Sequence, residues 1–190
     1  MGDENQLAIN EGMELGKIFC ESGVFPDIKS AAQGYVKILA GRELGLSPMQ
    51  SIGAFYFVNG KIGITSNTIA ALIKKSKKYD YRIDTHTETE CAISFYNGTE
   101  KPIGISTFTI KDAARAGIVN GVNWKNYPRN LLFARALMNG ARFYCPDVMC
   151  SFTISVEELS DLTPEKTSKT ITIDAVGEVK EEIKNGETGL

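Results

Sequence analysis

Histidine is almost missing from this chain. Its one copy, His86, sits in the polar run Asp84-Thr85-His86-Thr87-Glu88, where an exposed strand or turn position is a better reading than a general base. The four cysteines (Cys20, Cys91, Cys145 and Cys150) are scattered and form no C-x-x-C pair. With one distant histidine they make no zinc site, and reduced thiols in a cytoplasmic protein are expected. No apolar run approaches the roughly 18 to 20 residues that a membrane-spanning helix needs. The opening residues Met1-Gly2-Asp3-Glu4-Asn5 are acidic and lack the basic-then-apolar order of a signal peptide. There is also no P-loop, no G-x-G-x-x-G after a strand, no G-x-S-x-G and no H-E-x-x-H. Gly41 to Gly45 lies on a helix end and cradles nothing. The expectation is therefore a chain without ATP, cofactor or covalent chemistry, and magnesium is not indicated.

What is present is enough apolar residue, 43% of 190, to bury one core. The net charge of −2 hides an uneven distribution. Residues 61 to 142 carry thirteen basic and six acidic side chains, while residues 1 to 60 and 161 to 190 each carry four basic and seven acidic. Between residues 113 and 146 there are five basic residues and no acid at all. A basic central block between acidic ends keeps a polyanionic partner in view.

Periodicity predicts a helix over 5–20, with Leu7, Leu15, Ile18 and Phe19 as core candidates. A second runs from Pro26-Asp27 to about Leu44, capped by Asp27, with Ala31, Ala32, Tyr35, Ile38 and Leu39 on its apolar side. Ser47-Pro48 suits cap and first turn of a short helix. Asn59-Gly60 between two β-prone runs is a strong hairpin signal. Thr65 or Ser66 then caps a helix ending in Lys74, Lys75, Lys77 and Lys78, cations that the helix dipole favours in solvent. Three strands follow, Tyr79 to Thr85, Thr89 to Tyr96 and Pro102 to Phe108. Thr109 caps a short helix to Ala116, and Pro128 starts a longer one that stops before Pro146. The stretch beyond Leu162 is polar and acidic with one β-prone patch, Thr170 to Ile173, and is expected to stay mostly disordered. The fold class expected is α+β, a hairpin and a three-stranded antiparallel meander packed with helices. Its core spans 1–160 and its tail 161–190.

On the helix from Pro128, Phe133, Leu137, Ala141 and Tyr144 share one face. Arg135 and Arg142, seven apart, fall within about 20° of each other on the opposite face. No acidic partner is near them in sequence, so the two guanidiniums read as a phosphate ladder; the alternative is that they pair with acids from elsewhere in the fold, with Trp124 as a core anchor. Just upstream, Trp124, Lys125, Tyr127 and Arg129 interleave rings with cations, the mixture that sequence-tolerant single-strand binding uses.

The wording and order of these segments resemble a known family. Gly41-Arg42-Glu43-Leu44-Gly45-Leu46-Ser47-Pro48, then an aromatic hairpin ending Gly60-Lys61, resembles the opening of the phage RecT and Bet (Redβ-like) annealing recombinases. Ile64 to Tyr81 looks like their helix leading into a strand. Trp124-x3-Pro128-Arg129-Asn130-Leu131-Leu132, then Arg135-Ala136-Leu137 through Ala141-Arg142 to Pro146-Asp147, is similar to their long helix. Val156-Glu157-Glu158-Leu159 echoes the acidic segment after it. The likeness spans about residues 27 to 160.

That resemblance implies ATP-independent annealing of complementary single DNA strands by homo-oligomeric rings or filaments. It also implies partners such as a phage exonuclease or a host single-strand-binding protein. Carried over by matching position, Lys61, Trp124, Lys125, Arg129, Arg135 and Arg142 are the expected DNA contacts. Arg115 and Tyr127 join them from the same acid-free block. Two departures stand out: an acidic tail is expected where family members commonly carry a C-terminal helical domain, and the glycines usual after Pro-Asp are replaced by Val148-Met149-Cys150-Ser151. Two other functions remain open. One is a phage protein-binding factor of similar fold that never touches DNA. The other is a metal-dependent nuclease built on Asp80, Asp84 or Glu90.

Overall fold

The computed structural model describes residues 2–150, 152–161, 170–173 and 179–182, with side chains for residues 9–150 and 152–161. Helix α1 (Gly2–Glu21) lies along α2 (Ala31–Glu43), and α2 lies on α3 (Pro48–Ala54). A satellite core of Phe19, Ile28, Ile38 and Ile52 joins the three. Ser30, not Asp27, caps α2, accepting from the Gln33 N–H. Asp27 is used elsewhere: its carboxylate pairs with Lys37 at 2.6 Å and accepts the Phe57 N–H at 3.3 Å. Lys37 is fully buried and also donates to the Ile52 carbonyl. Burial pushes its pKa down, against the opposing pull of Asp27. Its partners come from the loop before α2, from α3 and from the hairpin, so the buried charge fastens the α-helical layer to the strands. The expected apolar side of α2 is corrected in part: Ile38 is buried, but Ala32 and Leu39 face solvent. On α1, Phe19 is buried, Leu15 half-buried and Ile18 exposed. Leu7 lies outside the described side chains.

Strands β1 (Phe55–Val58) and β2 (Lys61–Ile64) pair antiparallel with Val58 opposite Lys61. Asn59 and Gly60 both take positive φ, 51° and 75°, the requirement that selects Asn-Gly for a two-residue turn. Thr65 caps α4 (Ser66–Lys75). Strands β3 (Asp80–His86), β4 (Glu90–Tyr96) and β5 (Gly104–Thr109) form an antiparallel sheet in the order β3-β4-β5. Thr109 and Asp112 then make a reciprocal capping box at the start of α5 (Ile110–Arg115). Short α6 (Val122–Asn126) leads into α7 (Pro128–Tyr144), followed by α8 (Pro146–Met149) and α9 (Val156–Asp161).

Helix α7 crosses β4 and β5 at very short range, because Gly140 has no side chain. A Cβ there would stand 2.1 Å from the Phe95 ring. The main core gathers on this contact, with Ile64, Ile69, Ile73, Ile93, Leu132 and Leu137 wholly buried. Each such side chain is worth roughly 1.5–3 kcal/mol on burial. The chain is therefore α+β, with a two-stranded and a three-stranded antiparallel sheet packed with helices.

In the tail, Thr170–Ile173 is a strand (β6) paired antiparallel with Val179–Glu182 (β7). Residues 162–169, 174–178 and 183–190 lie outside the described residues, and the expectation of disorder there goes with them. No described helix is long and apolar enough to cross a membrane.

Candidate nucleic-acid interface

The arginine pair on α7 does not face an open channel. Arg135 donates to Glu158 at 3.3 Å and to Asp161 at 2.5 Å, and Arg142 donates to the other oxygen of Glu158. Arg142 also reaches the Thr153 carbonyl and the Asn139 amide oxygen. Both acids come from α9, which a parallel bridge between Ile64 and Ser155 and the burial of Leu159 hold against the hairpin. The expected phosphate ladder is thus corrected to an internal ion cluster. The local acid-free sequence concealed it because the carboxylates arrive from residues 158 and 161. Arg135 Nε is buried with no partner among the described residues.

Trp124 is corrected likewise. Only 2% of it is exposed, its ring lies 6.3 Å from that of Phe108, and its indole N–H donates to Asp161 at 2.9 Å. It is a core anchor, with no face free for a base. The opposite side of α7 is packed too, so the helix is buried over most of its circumference.

The other members of the block stay at the surface. Tyr127 is 61% exposed at the N-cap of α7, where no side chain caps the helix and the first turn holds no acid. Lys125 is exposed, and its side chain has no hydrogen bond or ion pair among the described residues. Arg129, in the first helical turn, is exposed and donates to the His86 carbonyl at 3.1 Å. His86 answers through Nε2, which donates to the Arg129 carbonyl at 3.0 Å, and its ring rests 6.1 Å from that of Phe133. This reciprocal pair fixes the start of α7 to the end of β3. Sequence gave His86 no such task, since its partner lies forty-three residues away in the chain.

The amino end of a 17-residue helix carries about half a positive charge. Lys125, Arg129 and the Tyr127 ring therefore share one positive corner, where neither cation has a carboxylate ion-pair partner among the described residues. Arg115 is exposed but leans on Asp112 at 3.3 Å; hydrogen bonds from Thr109 hold that carboxyl below the usual range. Lys61 is exposed at the hairpin tip with no ion-pair partner among the described residues.

Several clefts open on the surface of the described residues. One of about 310 Å³ shows the Arg135 and Arg142 guanidiniums with Glu158 on its wall. A second, about 380 Å³, is lined by Lys75 and Lys78 but also by Glu43 and Asp147. Lys78 binds Asp147 at 2.7 Å and keeps its carboxyl below the ordinary range. A third, about 620 Å³, runs between α3 and α4 beside Tyr56 and has no carboxylate among its lining residues.

The carboxylates considered for a nuclease do not converge. Asp80 pairs with Lys74, Asp84 accepts the Ser94 hydroxyl, and Glu90 sits opposite Thr109. No cluster placed to hold a metal ion occurs among the described residues. No protein-family model, curated protein or solved structure matches the chain.

Proposed function

We propose that this protein binds single-stranded DNA without ATP and anneals complementary strands, as the resemblance to phage annealing recombinases implies. One observation carries the reading. Tyr127, flanked by Lys125 and Arg129, projects from the uncapped positive end of α7, whose first turn holds no acid, and neither cation is ion-paired among the described residues. Cations beside an exposed ring suit a polynucleotide: the charges meet phosphates, and a base stacks on the ring for roughly 1–3 kcal/mol. A single corner of this size binds weakly. Useful affinity then depends on several subunits continuing one track, which fits self-association into rings or filaments. Annealing requires no covalent step, because the duplex stacking gained, about 1.4 kcal/mol per step, drives it.

The test is binding of a fluorescent oligonucleotide at low salt without nucleoside triphosphate, followed by strand annealing. Affinity should fall as salt rises, with a log–log slope near −0.7 for each phosphate neutralised. Lys125→Ala with Arg129→Ala should reduce both binding and slope. Unchanged migration of the oligonucleotide at low salt would remove the proposal.

A second reading, a protein-docking factor that ignores DNA, is favoured by an apolar patch around Tyr144. Phe143 is 78% and Ile105 57% exposed. The Phe143 ring lies 6.4 Å from that of Tyr144, whose hydroxyl reaches the Ile105 carbonyl. An inert oligonucleotide assay would leave this reading in place.

A further inference from the structure

We propose that the groove between α3 and α4 holds one nucleotide of the bound strand, its base against Tyr56 and its phosphate at Lys75. The inference rests on the DNA-binding reading and gives it a second, separate contact point.

The groove exists because its walls are small. Gly53 on α3 and Ala71 on α4 leave it open, and a Cβ built at Gly53 meets no atom within 4 Å. A space of about 620 Å³ falls within the range of small-molecule sites. Its apolar lining includes Leu46 and Leu72; Thr65 and Thr68 hydrogen-bond to each other, leaving Tyr56, Gln50, Asn67 and Lys75 as its other polar groups.

Each of those groups suits part of a nucleotide. Tyr56 is partly exposed, and the Lys37 ammonium lies 4.8 Å from its ring centroid. Since Lys37 is fully buried, that cation backs the ring from the protein side. It steadies the ring and leaves the outer face for stacking. Gln50 is pre-set by a capping box: its Oε1 accepts the Ser47 N–H, so the amide NH₂ is left to donate. The Asn67 amide is exposed and has no hydrogen bond among the described residues, offering a donor and an acceptor to a base edge. Lys75 Nζ is steadied by the Gly45 carbonyl at 3.1 Å and keeps further donors for a phosphate.

The charge balance separates this groove from its neighbours. The Arg135 cleft holds Glu158 paired with Arg142, and the Lys78 cleft, which Lys75 also borders, holds Asp147 paired with Lys78. Here Lys75 meets a carbonyl and no acid. One lysine is too little for a free nucleoside triphosphate, so the occupant is a unit of a polymer held by its neighbours as well.

The test uses the full chain and an oligonucleotide bearing one 5-iodouracil. Irradiation should cross-link residues 50–56 or 67–75, mapped by mass spectrometry. Gly53→Leu, whose Cβ meets no atom within 4 Å, should weaken binding about tenfold or more while leaving the unfolding midpoint unchanged or higher. Asn67→Asp, which brings a carboxylate to the base site, should weaken binding in the same direction and guards against a local effect of the leucine. Wild-type affinity in both variants, or cross-links confined to residues 122–131, overturns the groove and spares the DNA reading. If the wild-type chain neither binds nor cross-links the oligonucleotide at low salt, both fall together.

Discussion

Glu157 holds the first turn of α4 from ninety-one residues further along the chain: its carboxylate accepts the Ser66 hydroxyl at 2.6 Å and the Ser66 backbone N–H at 3.3 Å. A negative group at a helix start answers both the unpaired N–H and the positive end of the dipole. The next residue, Glu158, turns the other way and gathers the two α7 arginines. Two adjacent acids therefore fasten α9 to two helices at once.

Glu157→Ala should cost about 1–2 kcal/mol, the usual worth of a lost cap strengthened by charge. Urea unfolding followed by circular dichroism would measure it. A variant as stable as wild type would mean that the contact contributes nothing in solution.

The arginines should behave as structural groups. Arg135→Ala with Arg142→Ala leaves Glu158 buried and uncompensated, so stability should drop by roughly 2–4 kcal/mol. That is somewhat less than the range for fully buried pairs because the guanidiniums keep some water. Calorimetry should show a fall of about 5–10 °C in Tm. Lys125→Ala with Arg129→Ala, at the exposed corner, should shift Tm far less and DNA binding far more. If the first pair abolished binding while Tm stayed put, the ion cluster would be wrong and the open ladder restored.

Trp124 is the chain's one tryptophan and gives a direct optical check. Its native emission should be blue-shifted and poorly quenched by acrylamide, then move red on unfolding. Added oligonucleotide should not quench it by stacking. Strong quenching at saturating DNA would place the indole at the interface after all.

Burial pushes the Cys91 thiol up to about 11 and the Cys145 thiol up to about 12. Unfolded thiols ionise near pH 9, so the folded chain keeps protons that the unfolded chain sheds. The stability this contributes is complete below pH 9 and is lost as pH rises toward 11 and 12, by at most about 1.4 kcal/mol per unit for each thiol. Replacing both with alanine should flatten the decline in stability measured between pH 8 and 10.5. In native protein at pH 8, a thiol reagent should modify exposed Cys150 first and leave Cys91 and Cys145 intact. Fast labelling of all four would contradict the packed core.

Much of the architecture was readable from local signals. Asn59-Gly60, Thr65, Thr109 and Pro128 announce turns and helix starts through their own backbone chemistry, and each does so in the fold. Misreadings arose where a residue's partner is remote. Asp27 looked like a cap, yet Lys37 and the Phe57 amide claim it. Arg135 and Arg142 looked unpaired because a helical wheel contains no information about α9. The charge of residues 113–146 divides in the fold between the surface and the interior. A long acid-free block can be an exposed surface or a core that imports its acids: Arg129 is exposed, while Arg135 is paired with Glu158 and Asp161. The exposed corner at Tyr127 was legible because rings and cations alternate there within six residues of chain.

Asp161 satisfies the Trp124 indole and the Arg135 guanidinium together, which sets a chemical boundary for trimming the protein. A version ending at residue 160 would strand a buried N–H and half a cation's partners, although composition places the break there. Ending at residue 161 or beyond retains both. A protease-resistant fragment should accordingly terminate after this aspartate, and an expression boundary drawn one residue too early would yield a looser, aggregation-prone product.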